Sequence, residues 1–238
     1  RYIGSFTRGL SSDLKTINLE CPVTDEGYVH PAKQYTFRSR PDAVAGITEC
    51  GAEMICLANN HLIDYMDRGV EETIEVLENP TSYSPYARDV DFGYAGGGMD
   101  REAATRPAFF TQDGLRIGFV GLCSITGHSG NEQPFFQAGY GKPGVLFLNE
   151  ANVRHAVAES EAVADVTVVM IHGGVEYSEE PSTYIQPLAQ LAVDLGAEMV
   201  ICHHPHVSQG IEVYNGAPIV YSLGNYIFDQ KYQHTMMS

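Results

Sequence analysis

Val166-Thr167-Val168-Val169-Met170-Ile171 carries no charge and runs directly into His172-Gly173-Gly174-Val175-Glu176-Tyr177. The run is short and rich in β-branched residues, which predicts a strand buried on both faces with polar, turn-forming residues released at its carboxyl end. Two further segments repeat the arrangement. Glu53 to Leu57 (EMICL) leads into Ala58-Asn59-Asn60-His61 and Asp64, and Glu198 to Cys202 (EMVIC) leads into His203-His204-Pro205-His206. In open α/β sheets the carboxyl ends of strands carry ligand sites, because loops and helix N-termini converge there on a rigid frame. Three clusters of metal-type donors at three strand ends therefore predict one metal-centred site in an α/β protein.

Outward from these strands the pattern alternates. Leu14 to Leu19 is expected as a first strand, ended by Asn18-Leu19-Glu20-Cys21-Pro22, where proline stops the ladder. Pro41 suits the first turn of a helix over Asp42 to Cys50, with Gly51 as its stop. Asp67 is expected to cap a helix reaching about Glu78, before Pro80. Gln112-Asp113-Gly114 and Asn215-Gly216 predict hairpins, so antiparallel strands join the parallel ones. Helices are expected over Asn149 to Val163 and Pro181 to Leu195, each feeding a strand. Gly96-Gly97-Gly98 reads as a flexible turn, because the Lys and the full glycine fingerprint of a phosphate loop are missing. Cys123 to Phe147 is longer than an ordinary connection and is expected to roof the site. The sum is a layered sheet with helices outside.

Composition narrows the function classes. The 238 residues, 44% hydrophobic, can bury a sizeable core, and without a Pro-, Ser- or charge-rich linker a single domain over residues 1–238 is expected. A formal net charge of −16 would repel a nucleic-acid backbone, so nucleic acid is not expected as a partner. Five cysteines are scattered without CxxC spacing and read as buried free thiols. No apolar run approaches the ~20 residues of a membrane span. The first residue is Arg1, with no basic-then-apolar leader, which suggests a trimmed or incomplete N-terminus.

His204 and His206, spaced HxH, present two nitrogens on one side if the segment is extended. With His61, His172, Glu20 and Asn60 they make a nitrogen and oxygen donor set suited to Mn, Fe, Zn or Mg, with no cysteine among them.

The segments NLECPVT, YTFRSRP, ANNHLIDY, HGGVEY, CHHPHVSQGIE and YSLGNYIFD, in this order, resemble the CapA/PgsA family of bacterial poly-γ-glutamate capsule synthesis proteins, from Ser11 to about Gln230. That family belongs to the metallophosphoesterase, or calcineurin-like, superfamily. The resemblance implies an α/β fold of αββα type, two mixed β-sheets flanked by helices. It also implies one or two divalent metal ions. By motif, Asn60 would be a metal ligand and His61 the acid beside the scissile group. Glu20 would bridge two metals, and His172, His204 and His206 would complete the ligands. Asp64 would orient His61, or simply start the following helix. The family opens with a strand ending in Gly-Asp, and this chain starts downstream of where that strand should lie, so one metal position is expected to be incomplete.

Arg38 and Arg40 can fork onto a carboxylate or phosphate, or serve as structural or exposed charges. Glu176 and Tyr177 follow His172 closely enough to line the same mouth, and Asn225 ends a strand where it can line the pocket. Three functions stay open: a phosphoesterase-type hydrolase, a component that binds, assembles or exports poly-γ-glutamate without turnover, and a γ-glutamyl amide hydrolase. The resemblance further implies an anionic polymer or phosphoester substrate and capsule-synthesis membrane proteins as partners. The location it implies is outside the cytoplasmic membrane, at the cell surface.

Overall fold

The computed structural model describes residues 12–125 and 136–228. Three parallel strands, β1 (Thr16–Asn18), β2 (Met54–Cys56) and β3 (Gly93–Ala95), form one sheet in that order. Ile17 sits opposite Ile55, and Ile55 opposite Tyr94. Between them run α1 (Val44–Cys50), entered through a 3₁₀ turn at Pro41–Ala43, then α2 (Met66–Glu78) and the short α3 (Pro80–Tyr83). Gly51 closes α1 in the left-handed region at φ 74°, as its place after the last apolar residue predicts. Asp67, in contrast, does not cap α2: Tyr65 occupies the cap position without a side-chain bond, and Asp67 lies in the first turn, where its charge still suits the helix N-terminus.

The second sheet contains β5 (Ala108–Gln112), β6 (Leu115–Cys123), β8 (Val166–His172), β9 (Met199–His203), β10 (Ile211–Tyr214) and β11 (Ala217–Val220), in the order β10-β11-β9-β8-β6-β5. Its centre is parallel and both edges are hairpins. At the turns, Asp113 and Gly114 have φ of 52° and 84°, and Asn215 and Gly216 have φ of 48° and 89°. Both central residues of each turn are thus left-handed, the twist that two-residue hairpins require. On the outside lie α5 (Glu150–Glu161), capped by the Asn149 side chain accepting from the Asn152 amide at 2.9 Å, and α6 (Ile185–Asp194).

Strand alternation sorts the core into two layers. Phe119, Cys123, Val168 and Met170 pack against Met54, Ile55 and Leu57 of the facing sheet, and Val44, Val70, Val76 and Leu77 of α1 and α2 join that cluster. The intervening Val120, Leu122, Val169, Ile171 and Val200 pack against Val153 and Val157 of α5 and Ala189 and Ala192 of α6. Each large side chain so buried contributes roughly 1.5–3 kcal/mol, which makes the two sheets the rigid part of the molecule. The architecture is an α/β sandwich of two sheets flanked by helices, the αββα arrangement that the resemblance implied.

Two expectations are corrected. Gly96-Gly97-Gly98 is not a flexible turn, because Gly97–Gly98 form β4, buried and antiparallel to β7 (Gly144–Val145), ahead of the one-turn helix α4 (Arg101–Thr105). At Gly96 a Cβ would come within 2.7 Å of the Gly121 Cα, so the two backbones meet with no side chain between them. Nor is Cys123 to Phe147 wholly a roof: Phe136, Ala138, Val145 and Leu146 are core residues. Residues 126–135 of that stretch, and the expectation about a preceding Gly-Asp strand, lie outside the described residues. Cys56, Cys123 and Cys202 are buried, Cys21 and Cys50 are half-buried, and all are free, as expected.

Candidate metal centre

The carboxyl ends of β1, β2, β8 and β9 all open on the same region. Glu20 follows β1, Asn60 and His61 follow β2, His172 ends β8, and His204 and His206 follow β9. Glu20, His204 and His206 each offer one donor atom within 4.8 Å of the others. His172 Nε2 lies 3.2 Å from His204 Nδ1, 2.8 Å from Asn60 Oδ1 and 3.5 Å from Glu20 Oε1. The same Glu20 oxygen is 4.0 Å from His206 Nε2. Residues from both sheets therefore converge, with the Glu20 carboxylate between His172 and His206.

The convergence does not come from an extended HxH segment. His204 and His206 have φ of 109° and 63°, and Tyr177 has φ of 60°. The turned backbone, not strand alternation, brings the two rings together, with centroids 5.8 Å apart. Non-glycine residues held at positive φ cost of order 1–3 kcal/mol each and survive where the surroundings over-determine them. Three of them border this one cluster.

The polar atoms of the cluster are unevenly satisfied. Glu20 Oε2 accepts from Asn18 Nδ2 at 2.9 Å, but Glu20 Oε1 is buried without a hydrogen-bond partner, as is His203 Nε2. Burial pushes the Glu20 carboxyl up to about 8; the Asn18 bond opposes the shift and the charge of Glu176 adds to it. Burial also holds the imidazoles of His172 and His204 below the usual histidine range, His204 at about 4, with mutual repulsion among the rings acting the same way. Burial thus favours neutral imidazole at His172 and His204, the form in which a histidine nitrogen can act as a ligand.

Beside it stands His61. Its Nδ1–H donates to Asp64 Oδ2 at 2.8 Å, and that oxygen also accepts from the Phe37 amide at 2.6 Å. Asp64 is fully buried and pairs with Lys33, whose ammonium also donates to the Asn60 carbonyl and lies 4.9 Å from the centre of the Phe136 ring. The orienting contact expected of Asp64 is therefore present. Asn59 ties the loop to β1, donating to Leu19 O at 2.9 Å and accepting from the His61 amide at 3.0 Å.

The remaining candidates lie around the rim or apart. His206 Nδ1 is 2.9 Å from Asn225 Oδ1. The Tyr177 ring is 6.0 Å from His206, and Phe37 and Phe228 pack on His61 and His206 at 4.6 and 5.2 Å. Glu176 is exposed, and its charge reaches Glu20. Arg38 and Arg40 are exposed: Arg38 lies 4.6 Å from the centre of the Tyr65 ring, and Arg40 faces Asp42 at 3.4 Å. Their contacts are with neighbours outside the histidine cluster.

Sequence reasoning gave no individual role to Lys33, His203 or Phe37. The parallel register pairs His172 with His203, and their Nδ1 atoms are 3.0 Å apart. Aligning the ends of the two strands would have found His203, whereas Lys33 sits in a loop with no periodic signal.

A family model described as bacterial capsule synthesis protein PGA_cap matches residues 7–230. The PGA biosynthesis protein CapA of Bacillus subtilis (strain 168) is 30% identical over 226 residues, which cover 94% of this chain and 56% of that protein. The capsule biosynthesis protein CapA of Bacillus anthracis is 30% identical over 244 residues, covering 99% and 54%. A probable polyglutamine synthesis accessory protein of Mycobacterium tuberculosis is 27% identical over 226 residues, covering 92% and 56%. The chain spans about half the length of these relatives. Among solved structures, a hypothetical protein from Thermus thermophilus matches with a TM-score of 0.50 at 14% identity, covering 94% of this chain and 68% of that one, which speaks to the fold alone. The motif-bearing segments and the match across nearly the whole sequence agree: the chain belongs to the PGA_cap family of bacterial capsule synthesis proteins.

Proposed function

We propose that this chain carries a metal-dependent hydrolytic site of phosphoesterase type, used in making or processing a poly-γ-glutamate capsule. The observation that carries the reading is the convergence of Glu20, Asn60, His172, His204 and His206 around an unpartnered, buried carboxylate oxygen. An isolated polar atom of that kind is costly unless a cation or donor satisfies it, and the oxygen and nitrogen donors around it suit a divalent ion such as Mn, Fe, Zn or Mg. Glu20, Asn60, His172, His204 and His206 would hold the ion or ions. A bound ion would activate a water as nucleophile and stabilise developing charge on the scissile group. His61 would hand a proton to the leaving oxygen: Asp64 and Lys33 fix its Nδ1 side, which leaves Nε2 as its working atom. Phe37 and Tyr177 would wall the mouth, and Arg38 and Arg40 would meet an anionic substrate further out.

The Bacillus relatives are named for capsule or PGA biosynthesis, and a second reading is compatible with such a role: a component that binds poly-γ-glutamate without turnover. On either reading we propose an extracytoplasmic location and membrane-bound capsule-synthesis partners. Elemental analysis of protein purified without chelator, followed by assay on a chromogenic phosphodiester and on γ-glutamyl polymer, separates the two. One to two metal equivalents per chain with turnover, lost in His61→Ala while metal content holds, is the expected outcome for the hydrolase. Absence of metal even after Mn or Zn is supplied would sink it and leave polymer binding.

A further inference from the structure

We propose that His203 is a positioning residue for His172, and that loading the centre with a cation reverses the hydrogen bond between these two rings. The proposal rests on the metal reading of the site given above. Strands β8 and β9 end side by side with His172 opposite His203, and both side chains lie on the face directed at the other sheet. Their ring centroids are 5.2 Å apart and their Nδ1 atoms 3.0 Å apart. Two neutral imidazole nitrogens at that distance share one proton, one ring donating and the other accepting. The direction of that bond is set by the far side of His172, where Nε2 lies 2.8 Å from the side-chain oxygen of Asn60 and 3.2 Å from Nδ1 of His204, which accepts as well when His204 carries its proton on Nε2.

Without a cation, His172 satisfies Asn60 by carrying its proton on Nε2. Its Nδ1 then has only a lone pair, and His203 must donate from its own Nδ1. A cation at the centre needs the Nε2 lone pair of His172. The proton of His172 then sits on Nδ1 and is donated to His203, whose own proton moves to Nε2. Each ring keeps one proton in both states, so the pair changes tautomers without gaining or losing charge. His203 Nε2 is buried and has no hydrogen-bond partner among the described residues. A histidine retained for the core alone would more often have both nitrogens satisfied. Here the second nitrogen is the reserve position that lets the first switch from donor to acceptor.

The test uses the full chain and Zn²⁺, which is diamagnetic. Long-range ¹H–¹⁵N correlation spectra of histidine-labelled protein, recorded with chelator and with Zn²⁺, report which nitrogen of each ring is protonated; His203→Asn assigns the pair. The expected result is that both rings exchange tautomer on loading. Zn²⁺ affinity is measured in parallel by competition with a chromophoric chelator. His203→Leu keeps apolar bulk but offers no acceptor, and is expected to weaken binding about 10–100-fold. His203→Asn places an amide oxygen near the position of Nδ1 and is expected to rescue binding. Unchanged tautomers on loading, parental affinity in His203→Leu, or equal loss in both variants would each overturn the proposal. A parent that binds no Zn²⁺ at all would overturn the metal reading itself, and this inference with it.

Discussion

The site has two halves, and they are built differently. The half contributed by the smaller sheet, Lys33, Asn59, His61 and Asp64, is closed by its own hydrogen bonds: Asp64 is shared among Lys33, the Phe37 amide and His61, and Asn59 bonds both Leu19 and the His61 amide. The half contributed mainly by the larger sheet, His172, His203, His204 and His206 with Glu20 between, holds two buried polar atoms without partners and two histidines at positive φ. The first half is complete as a protein structure. The second leaves two buried polar atoms unsatisfied, and the proposed division into proton-handling and ligand-holding halves rests on this contrast.

The largest test of the contrast is a double replacement, His204→Ala with His206→Ala. It should abolish metal content by elemental analysis, whereas Asp64→Asn should leave metal content intact; metal lost equally in both would erase the division. Next in size is Lys33→Met. Lys33 and Asp64 have side chains only 7% and 0% exposed, so removing the ammonium leaves a buried carboxylate with its charge uncompensated. Urea unfolding should show a loss of about 3–5 kcal/mol, and pairing it with Asp64→Leu should recover most of that loss. An unaffected Lys33→Met midpoint would mean that the closed half is not closed by this ion pair.

Asn225→Ala sharpens the other half. It removes the oxygen that faces His206 Nδ1 at 2.9 Å and so frees the ring to turn. Metal affinity should fall about 10-fold or more with little change in the stability of the metal-free protein, as titration calorimetry and thermal melts would show. The smallest effects are expected at the rim. Arg40→Ala should change stability by less than about 0.5 kcal/mol, because its pairing with Asp42 is exposed. Arg38→Ala should cost about 0.5–1 kcal/mol through its lost contact with Tyr65. Neither should alter metal content, and both should weaken binding of an anionic polymer in a sedimentation assay. Metal loss in either would give the arginines a structural role in the site.

The legible part of this molecule was what period and turn chemistry control. Uncharged β-branched runs marked β2, β8 and β9, and Asp113-Gly114 and Asn215-Gly216 marked both hairpins, because a two-residue turn with left-handed backbone admits few sequences. The site residues were legible where they follow those strands. Lys33 was not, because a lysine in a loop is normally solvated, and only its burial against Asp64 and Phe136 makes it part of the site. His203 was hidden by its neighbours, since alternation along an extended strand puts it opposite His204 and His206. The left-handed turns at those two residues break the alternation, and tertiary packing imposes them without leaving a pattern in the sequence. Gly96-Gly97-Gly98 misled for the opposite reason: glycine permits a turn, but here it permits two backbones to touch.

That contact acts as a gauge. With Gly96 against Gly121 and only the Ala58 methyl beside them, the sheets approach at this point as closely as main chain allows, while larger side chains space them elsewhere. Glu20 and Asn60 stand on one jaw and His172 and His204 on the other. A methyl group added at Gly121 would meet the Gly96 Cα at 2.9 Å and the Ala58 Cβ at 3.2 Å, two residues before Asn60, so the spacing of the candidate donors is tied to a contact that admits no side chain.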